Sequence, residues 1–312
     1  MRCPSLDELP PPPPGKTGWP WTEASRPVSG PTPTGGAWPR ISIVTPSYNQ
    51  GSTLEETIRS VILQGYPNIE YVVMDGNSGD ESVTILRKYE RWISWVSEPD
   101  RGQSHAINKG LRRASGAILG YINSDDLYMP NAFETVASNI QPNSMQLMWG
   151  DICVVQGGDW STLTRLSKSH LTFQKLFLGG TPLPQPATFW TQPCLEKIGL
   201  LQEQLHYAMD YDFILRLLCG GATCTYLPKA LAIERQHAAQ KSRSKEALYR
   251  EKASVRLAVA RELGMNPWWY IVRALLFQRL LDPSRLHRWR TLTMQENLLI
   301  SAMRGNRIGF DS

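Results

Sequence analysis

The segment GYINSDDLYMP (residues 120–130) runs from an apolar, β-like stretch into Asn123, Ser124 and the adjacent carboxylates Asp125 and Asp126, and then meets Pro130. Two neighbouring acids at a strand end repel each other, so a fold that keeps both must offset the charge with a cation, a hydrogen-bond network or solvent. Taken alone, the residues also read as a polar turn before a helix start at Pro130. The choice depends on what the rest of the chain brings to the same place.

Upstream, the pattern alternates. ISIVTP is a short β-branched run closed by Pro46, and TLEETIRSVILQG follows with Leu54, Ile58, Val61 and Ile62 on one helical face. Thr53 and Glu56 have capping-box spacing, and Gly65 with Pro67 marks the helix end. IEYVVMDG, WVSEPD and AILGYIN read as further strands, separated by the helical patterns DESVTILRKYERW and GQSHAINKGLRRA. Strands alternating with helices of about a dozen residues predict right-handed βαβ units and a mainly parallel sheet. After Pro130 the order changes. MQLMWGDICVV and WSTLTRLS flank QGGD as a hairpin, LTFQKLFLGG and YDFILRLLCGG read as helices, and QPATFW is extended. From residue 241 onward the pattern is helical, including WWYIVRALLFQRLL.

The bulk properties narrow the class. The chain has 312 residues, 41% of them hydrophobic, enough for one large α/β domain with an appendage. Five cysteines without metal-pair spacing argue against a disulfide framework or a zinc site and predict mostly buried thiols in a reducing compartment. No stretch reaches the roughly 18 uninterrupted apolar residues of a spanning helix, and the N-terminus lacks a signal-peptide core, which predicts a cytoplasmic protein. Residues 1–39, rich in Pro, Gly, Ser and Thr, read as a flexible leader. The net charge of +5 is uneven. After residue 240 there are 14 Lys or Arg against 6 Asp or Glu, so the first 240 residues carry −3. A basic tail of this kind meets anionic lipid, a polyanion or water.

In an open parallel sheet, ligands bind beyond the carboxyl ends of the strands. Thr45, Pro46, Tyr48 and Asn49 follow the first strand, Asp75 the second, Asp100 the third, and Asn123, Asp125 and Asp126 the fourth. Any one of these is an ordinary turn former or helix cap. Four consecutive strands delivering polar groups to one edge predict a site.

These residues carry a resemblance. The ordered set ISIVTPSYNQG, VMDGNSGDES, SEPDRGQSHAINKGLRRASG, YINSDDLYMP, QPATFW, AMDYDFILRL and ERQH resembles the family 2 glycosyltransferases, inverting enzymes of the GT-A fold, over residues 40–240. A dinucleotide-binding alternative needs a Gly-x-Gly-x-x-Gly after the first strand, which is absent. A sugar nucleotidyltransferase needs a glycine-rich, Arg-containing loop where this chain has TPSYNQG. The resemblance implies a Rossmann-like, mainly parallel sheet flanked by helices, with residues 40–130 as the nucleotide-sugar half, 131–240 as the acceptor half and 241–312 as a helical extension. It also implies a nucleoside diphosphate sugar as donor, UDP-linked by preference, a Mn²⁺ or Mg²⁺ cofactor, and a glycan or lipid-linked hydroxyl acceptor, as in polysaccharide biosynthesis, with no nucleic-acid partner.

By the same resemblance, Asp125 is the metal ligand of an Asp-x-Asp motif whose first position is Asn123 and whose middle is Ser124. His237 matches a further metal or diphosphate ligand. Thr45, Pro46, Tyr48, Asn49, Asp75, Asp100, Arg101, Asn123 and Ser124 fall on the donor side, where a guanidinium suits a diphosphate. The family often has two acids where this chain has Asp75 and Gly76. Asp210 matches the base that takes the proton from the attacking hydroxyl, and Met209 stands where an acid commonly precedes it. Gln185 and Thr188 face the acceptor; Trp190 either stacks on a sugar ring or fills the core. The tryptophans and arginines of PWWYIVRALLFQRLL either dock on an anionic membrane surface, which suits a lipid-borne acceptor at the inner face of the membrane, or pack on the domain.

Overall fold

A computed structural model describes residues 2–157, 159–167, 172–177, 183–237 and 245–264. The first half alternates as the sequence predicts: β1 (Ile41–Ser47), α1 (Gly51–Ile62), β2 (Ile69–Asp75), α2 (Ser82–Tyr89), β3 (Ser94–Ser97), α3 (Gln103–Leu111) and β4 (Ile118–Tyr121). The second half adds β5 (Leu127–Tyr128), α4 (Ala132–Ala137), the hairpin β6 (Gln146–Gln156) and β7 (Asp159–Leu166), α5 (Phe173–Phe177), β8 (Thr188–Thr191), α6 (Gln192–Ile198), α7 (Met209–Cys219), β9 (Thr223–Gln236) and α8 (Lys245–Glu262). One mixed sheet runs β3-β2-β1-β4-β8-β6-β9-β5, with β7 paired to β6. The β3-β2-β1-β4 portion is parallel throughout. This is the α/β arrangement expected, with two apolar layers, one on each face of the sheet.

Two local expectations change. The Thr53–Glu56 capping box does not form, because α1 begins three residues earlier, with Gln50 at the N-cap: the Asp80 carboxylate accepts the Gly51 N–H at 2.8 Å and holds the helix start from outside. Thr53 instead donates to the Gln50 carbonyl, and Glu56 faces inward. The larger correction concerns the leader. Residues 2–39 are packed onto the body, with Cys3, Leu9 and Trp21 buried and Leu6, Trp19, Val28 and Trp38 set against the core. Composition hides this, because a few apolar anchors are spaced through the polar and Pro-rich sequence.

The anchor between leader and body is Arg59 of α1, almost wholly buried. Its guanidinium donates to the carbonyls of Pro10 (3.0 Å), Pro20 (3.0 Å) and Trp21 (2.9 Å), and to the Tyr89 hydroxyl (3.1 Å). A buried charge is tolerable only when its donors are matched in this way. Next to it, Gly65 at φ +64° ends the helix turn where the leader backbone passes; a Cβ there would lie 2.4 Å from the Arg26 carbonyl oxygen. Arg59→Met, which keeps the apolar stem and removes every donor, is expected to cost about 2–4 kcal/mol in denaturant unfolding and to make residues 2–39 the first segment cut by protease. Unchanged stability and digestion would show that the leader is held by its tryptophans alone.

Candidate active site

The carboxyl ends of β1 and β4 lie side by side because the two strands pair in parallel from Ile41↔Ile118 to Val44↔Tyr121. A cleft of about 630 Å³ opens there, between these strand ends, the start of α3, the segment before β8, the start of α7 and the end of β9. Of the residues that the sequence singles out, Pro46, Tyr48, Asp100, Asn123, Ser124, Asp125, Gln185, Asp210 and His237 line this one cleft. They come from both halves of the chain.

At its floor, His237 Nε2 lies 2.9 Å from Asp125 Oδ2. Asn123 Oδ1 accepts from Gln103 Nε2 at 2.7 Å, while its Nδ2 lies 3.2 Å from Gln185 Oε1 and 3.4 Å from Asp126 Oδ2. Gln185 in turn donates to the Tyr121 carbonyl at 2.7 Å. The asparagine thus joins the two halves, bonding Gln103 of α3 on one side and Gln185 before β8 on the other. Burial pushes the Asp126 carboxyl well above the usual carboxylate range, the charges of Asp125 and Glu234 push the same way, and the Arg235 backbone N–H at 3.0 Å opposes them. Tyr121, buried with its hydroxyl unpartnered among the described residues, is pushed upward by burial and then by the Asp210 charge. At the mouth, Tyr48 is 62% exposed, a flat face open to solvent.

Asp210 sits in the first turn of α7, its Oδ1 accepting the Tyr211 N–H at 2.8 Å. That turn is tied from α8: the Glu251 carboxylate accepts the backbone N–H groups of His206, Tyr207 and Ala208 at 2.7–3.1 Å. Arg256 of α8 donates to the Tyr211 hydroxyl at 2.7 Å. The first helix of the C-terminal extension therefore packs on the body; residues 267–281, with the tryptophan-rich segment, lie outside the described residues.

Comparison with known proteins identifies the family and the fold. The model of glycosyl transferase family 2 matches residues 42–194. An uncharacterized glycosyltransferase of Mycobacterium tuberculosis is 32% identical over 193 residues, which cover 59% of this chain and 72% of that protein. The chain belongs to glycosyl transferase family 2. Among solved structures, Staphylococcus aureus TarS 1-349 in complex with UDP-GlcNAc superposes with TM-score 0.56 at 20% identity, covering 69% of this chain and 66% of that one. The mannosyltransferase PcManGT of Pyrobaculum calidifontis, in complex with GDP-Man and Mn²⁺, gives TM-score 0.54 at 19% identity, covering 93% and 91%. These likenesses establish the GT-A fold.

Within this glycosyltransferase, several expected site residues are occupied elsewhere. Thr45 is buried and accepts from the Tyr71 hydroxyl at 3.0 Å. Asp75, also buried, accepts from Ser78 N (2.9 Å), Ser78 Oγ (2.5 Å) and Ser97 Oγ (2.6 Å), so its oxygens order the β2 end. Asn49, at φ +51°, bonds Ser78 and Gly79 and shapes the same turn. Arg101 points to solvent and pairs with Glu203 at 2.5 Å. Thr188 is buried and donates to the Pro184 carbonyl, and Trp190 fills the core against Tyr121 and Phe213. The β8 side chains are covered on both faces of the sheet, which leaves neither of them for an acceptor.

The glycine after Asp75 has a local reason. A Cβ on Gly76 would lie 2.6 Å from Asp100 Oδ2 and 3.2 Å from the Tyr48 ring, so Asp100 brings its carboxylate into the space a larger residue would take. Sequence reading missed Gln103, His206, Tyr207 and Glu234, which also line the cleft. Only Gln103 carried a signal, as the first residue of the helix that Gly102 caps. Asn123→Asp, which sets a carboxylate oxygen against Gln185 Oε1 and Asp126, is expected to lower unfolding free energy in chelator by about 1–3 kcal/mol; equal stability would mean that the amide bridge holds nothing. Glu251→Ala is expected to speed hydrogen exchange at residues 206–208 at least about tenfold, in line with the loss of charge-assisted bonds, and unchanged exchange would remove Glu251 as the tie of α7.

Proposed function

We propose that this glycosyltransferase moves a sugar, with inversion, from a UDP-linked donor to a hydroxyl of a glycan or lipid-linked acceptor, using Mn²⁺ or Mg²⁺. The observation that carries the proposal is the convergence of Asp125, His237 and Asp210 on one cleft of about 630 Å³ at the parallel strand ends. Tyr48 and Asp100 flank the donor end, and the start of α3 brings Gly102 and Gln103 toward the same space, with the Gly102 N–H donating to Asp100 Oδ1 at 2.7 Å. Asp210 stands on the other side, in the first turn of α7. An acid so placed can take the acceptor proton while the nucleoside diphosphate leaves from the opposite face, a role typically worth about 100 to 10,000-fold.

The residues present fit a divalent cation. Asp125 Oδ2 is a hard oxygen ligand, and His237 Nε2, within 2.9 Å of it, adds a nitrogen that shifts preference from Mg²⁺ toward Mn²⁺. Among the described residues there is no cluster of three or more such ligands; two protein ligands suit a cation that shares its coordination with a diphosphate and water. Bound there, the cation would neutralise charge on the departing diphosphate. The ligands of the structural relatives, UDP-GlcNAc in TarS and GDP-Man with Mn²⁺ in PcManGT, support the donor class. Asn123 and Met209 favour a second reading, a binding module of the same fold without transfer.

Thermal unfolding with UDP or GDP, each with Mn²⁺ or with chelator, combined with a transfer assay, decides between them. Asp210→Asn is expected to keep the nucleotide-dependent shift and to lose transfer at least about 100-fold. Loss of both to the same degree in a folded variant would overturn the division of roles. Nucleotide binding without donor hydrolysis or transfer in the natural protein would favour the module.

A further inference from the structure

The loop that joins β4 to β5 offers the main-chain carbonyls of Ser124, Asp125 and Asp126, and all three are taken by donors from outside the loop. The Thr57 hydroxyl of α1 lies 3.0 Å from the Ser124 carbonyl and 2.8 Å from that of Asp126, a three-centre contact. Arg235 of β9 takes the third, its Nη1 donating to the Asp125 carbonyl at 2.8 Å. The other end of the same guanidinium meets Glu56 of α1, Nη2 to Oε2 at 2.7 Å, with both side chains about nine-tenths buried. The backbone N–H of Arg235 donates to Asp126 Oδ1. Two residues further along, the chain delivers His237 to Asp125.

We propose that Arg235 is a positioning residue that, bridging Glu56 to the Asp125 carbonyl, sets the Asp125 carboxylate and the His237 imidazole at the spacing a cation–diphosphate group requires. This rests on the metal reading of Asp125. A planar guanidinium can serve the carboxylate and the carbonyl at once, because its donors point in fixed, divergent directions. With the loop carbonyls satisfied from behind, the Asp125 side chain is left to the cleft. A buried ion pair is also a poor choice for stability alone, since apolar residues of similar volume commonly do as well or better. A retained pair therefore has a use in geometry, and stability and geometry can be separated by mutation.

The double variant Glu56→Leu with Arg235→Met removes both charges together, so neither is left buried alone. It is expected to unfold at or near the temperature of the natural protein, and to bind UDP with Mn²⁺ at least about tenfold more weakly, as outer-shell changes typically do, with UDP binding in chelator unchanged. Arg235→Lys, which keeps a charge facing Glu56 but loses the fork, is expected to show the same metal-specific loss and serves as the test if the double variant does not fold. Restored affinity on returning arginine to position 235 in the Glu56→Leu background would overturn the bridge and leave the carbonyl contact alone. Natural Mn²⁺-dependent affinity in either folded variant would overturn the proposal. Asp125→Asn is measured alongside: if it too keeps the Mn²⁺-dependent affinity, the metal reading has failed, and Arg235 is not what was tested.

Discussion

Everything at the cleft depends on the parallel pairing of β1 with β4. A parallel pair must send the chain away through a helix before the next strand, so both strands end at the same edge and their loops face one another. That places Pro46 and Tyr48 beside Asn123 and Asp125 without any contact between the loops being needed to hold them. The antiparallel strands that follow, β8 and β6, extend the sheet on the β4 side. They allow β9 to return next to β5 and to finish at the same edge.

The fold was legible because it is written in short periods. Alternating β-branched runs and 3.6-residue patterns located β1 to β4, and the QGGD turn located β6 and β7. What was not legible is the use of α1. Its sequence shows one apolar face, Leu54, Ile58, Val61 and Ile62, and the usual inference is that the other face meets water. Here Glu56, Thr57, Arg59 and Ser60 are all buried. Arg59 meets carbonyls of the leader, Thr57 those of the β4–β5 loop, Glu56 meets Arg235 and Ser60 accepts the Tyr128 N–H, and none of these distant partners can be revealed by a local pattern. The leader was misread for the same reason: low apolar content says how much surface a segment can bury, but a few well-spaced apolar anchors and the buried Arg59 supply what composition omits.

The site divides along a similar line. Asp100 and Asn123, in the loops after β3 and β4, line the cleft while bonding Gly102 and Gln103 of the facing α3 start, whereas Asp75 and Thr45 are buried on their own strands and bond Ser78, Ser97 and Tyr71. The motif resemblance gave positions, but burial on the strand or exposure in the loop beyond it decided which side chains reach the cleft. Trp190 shows the limit of residue type as a guide. An aromatic residue near a sugar site suggests stacking, yet on a strand covered on both faces it is a wall of the core.

The match to the family model ends at residue 194, before α7 and β9 begin. Asp210 and His237 therefore lie on a part of the chain beyond the matched segment, although they share one cleft with it. The bridge from Glu56 to Arg235 ties that later part to the matched segment. A foreign second half brought onto this first half would have to deliver a cation to Glu56 from its last strand, or else strand a carboxylate inside the protein. In this chain, compatibility between the two halves is a matter of charge at one buried point as much as of shape at the cleft.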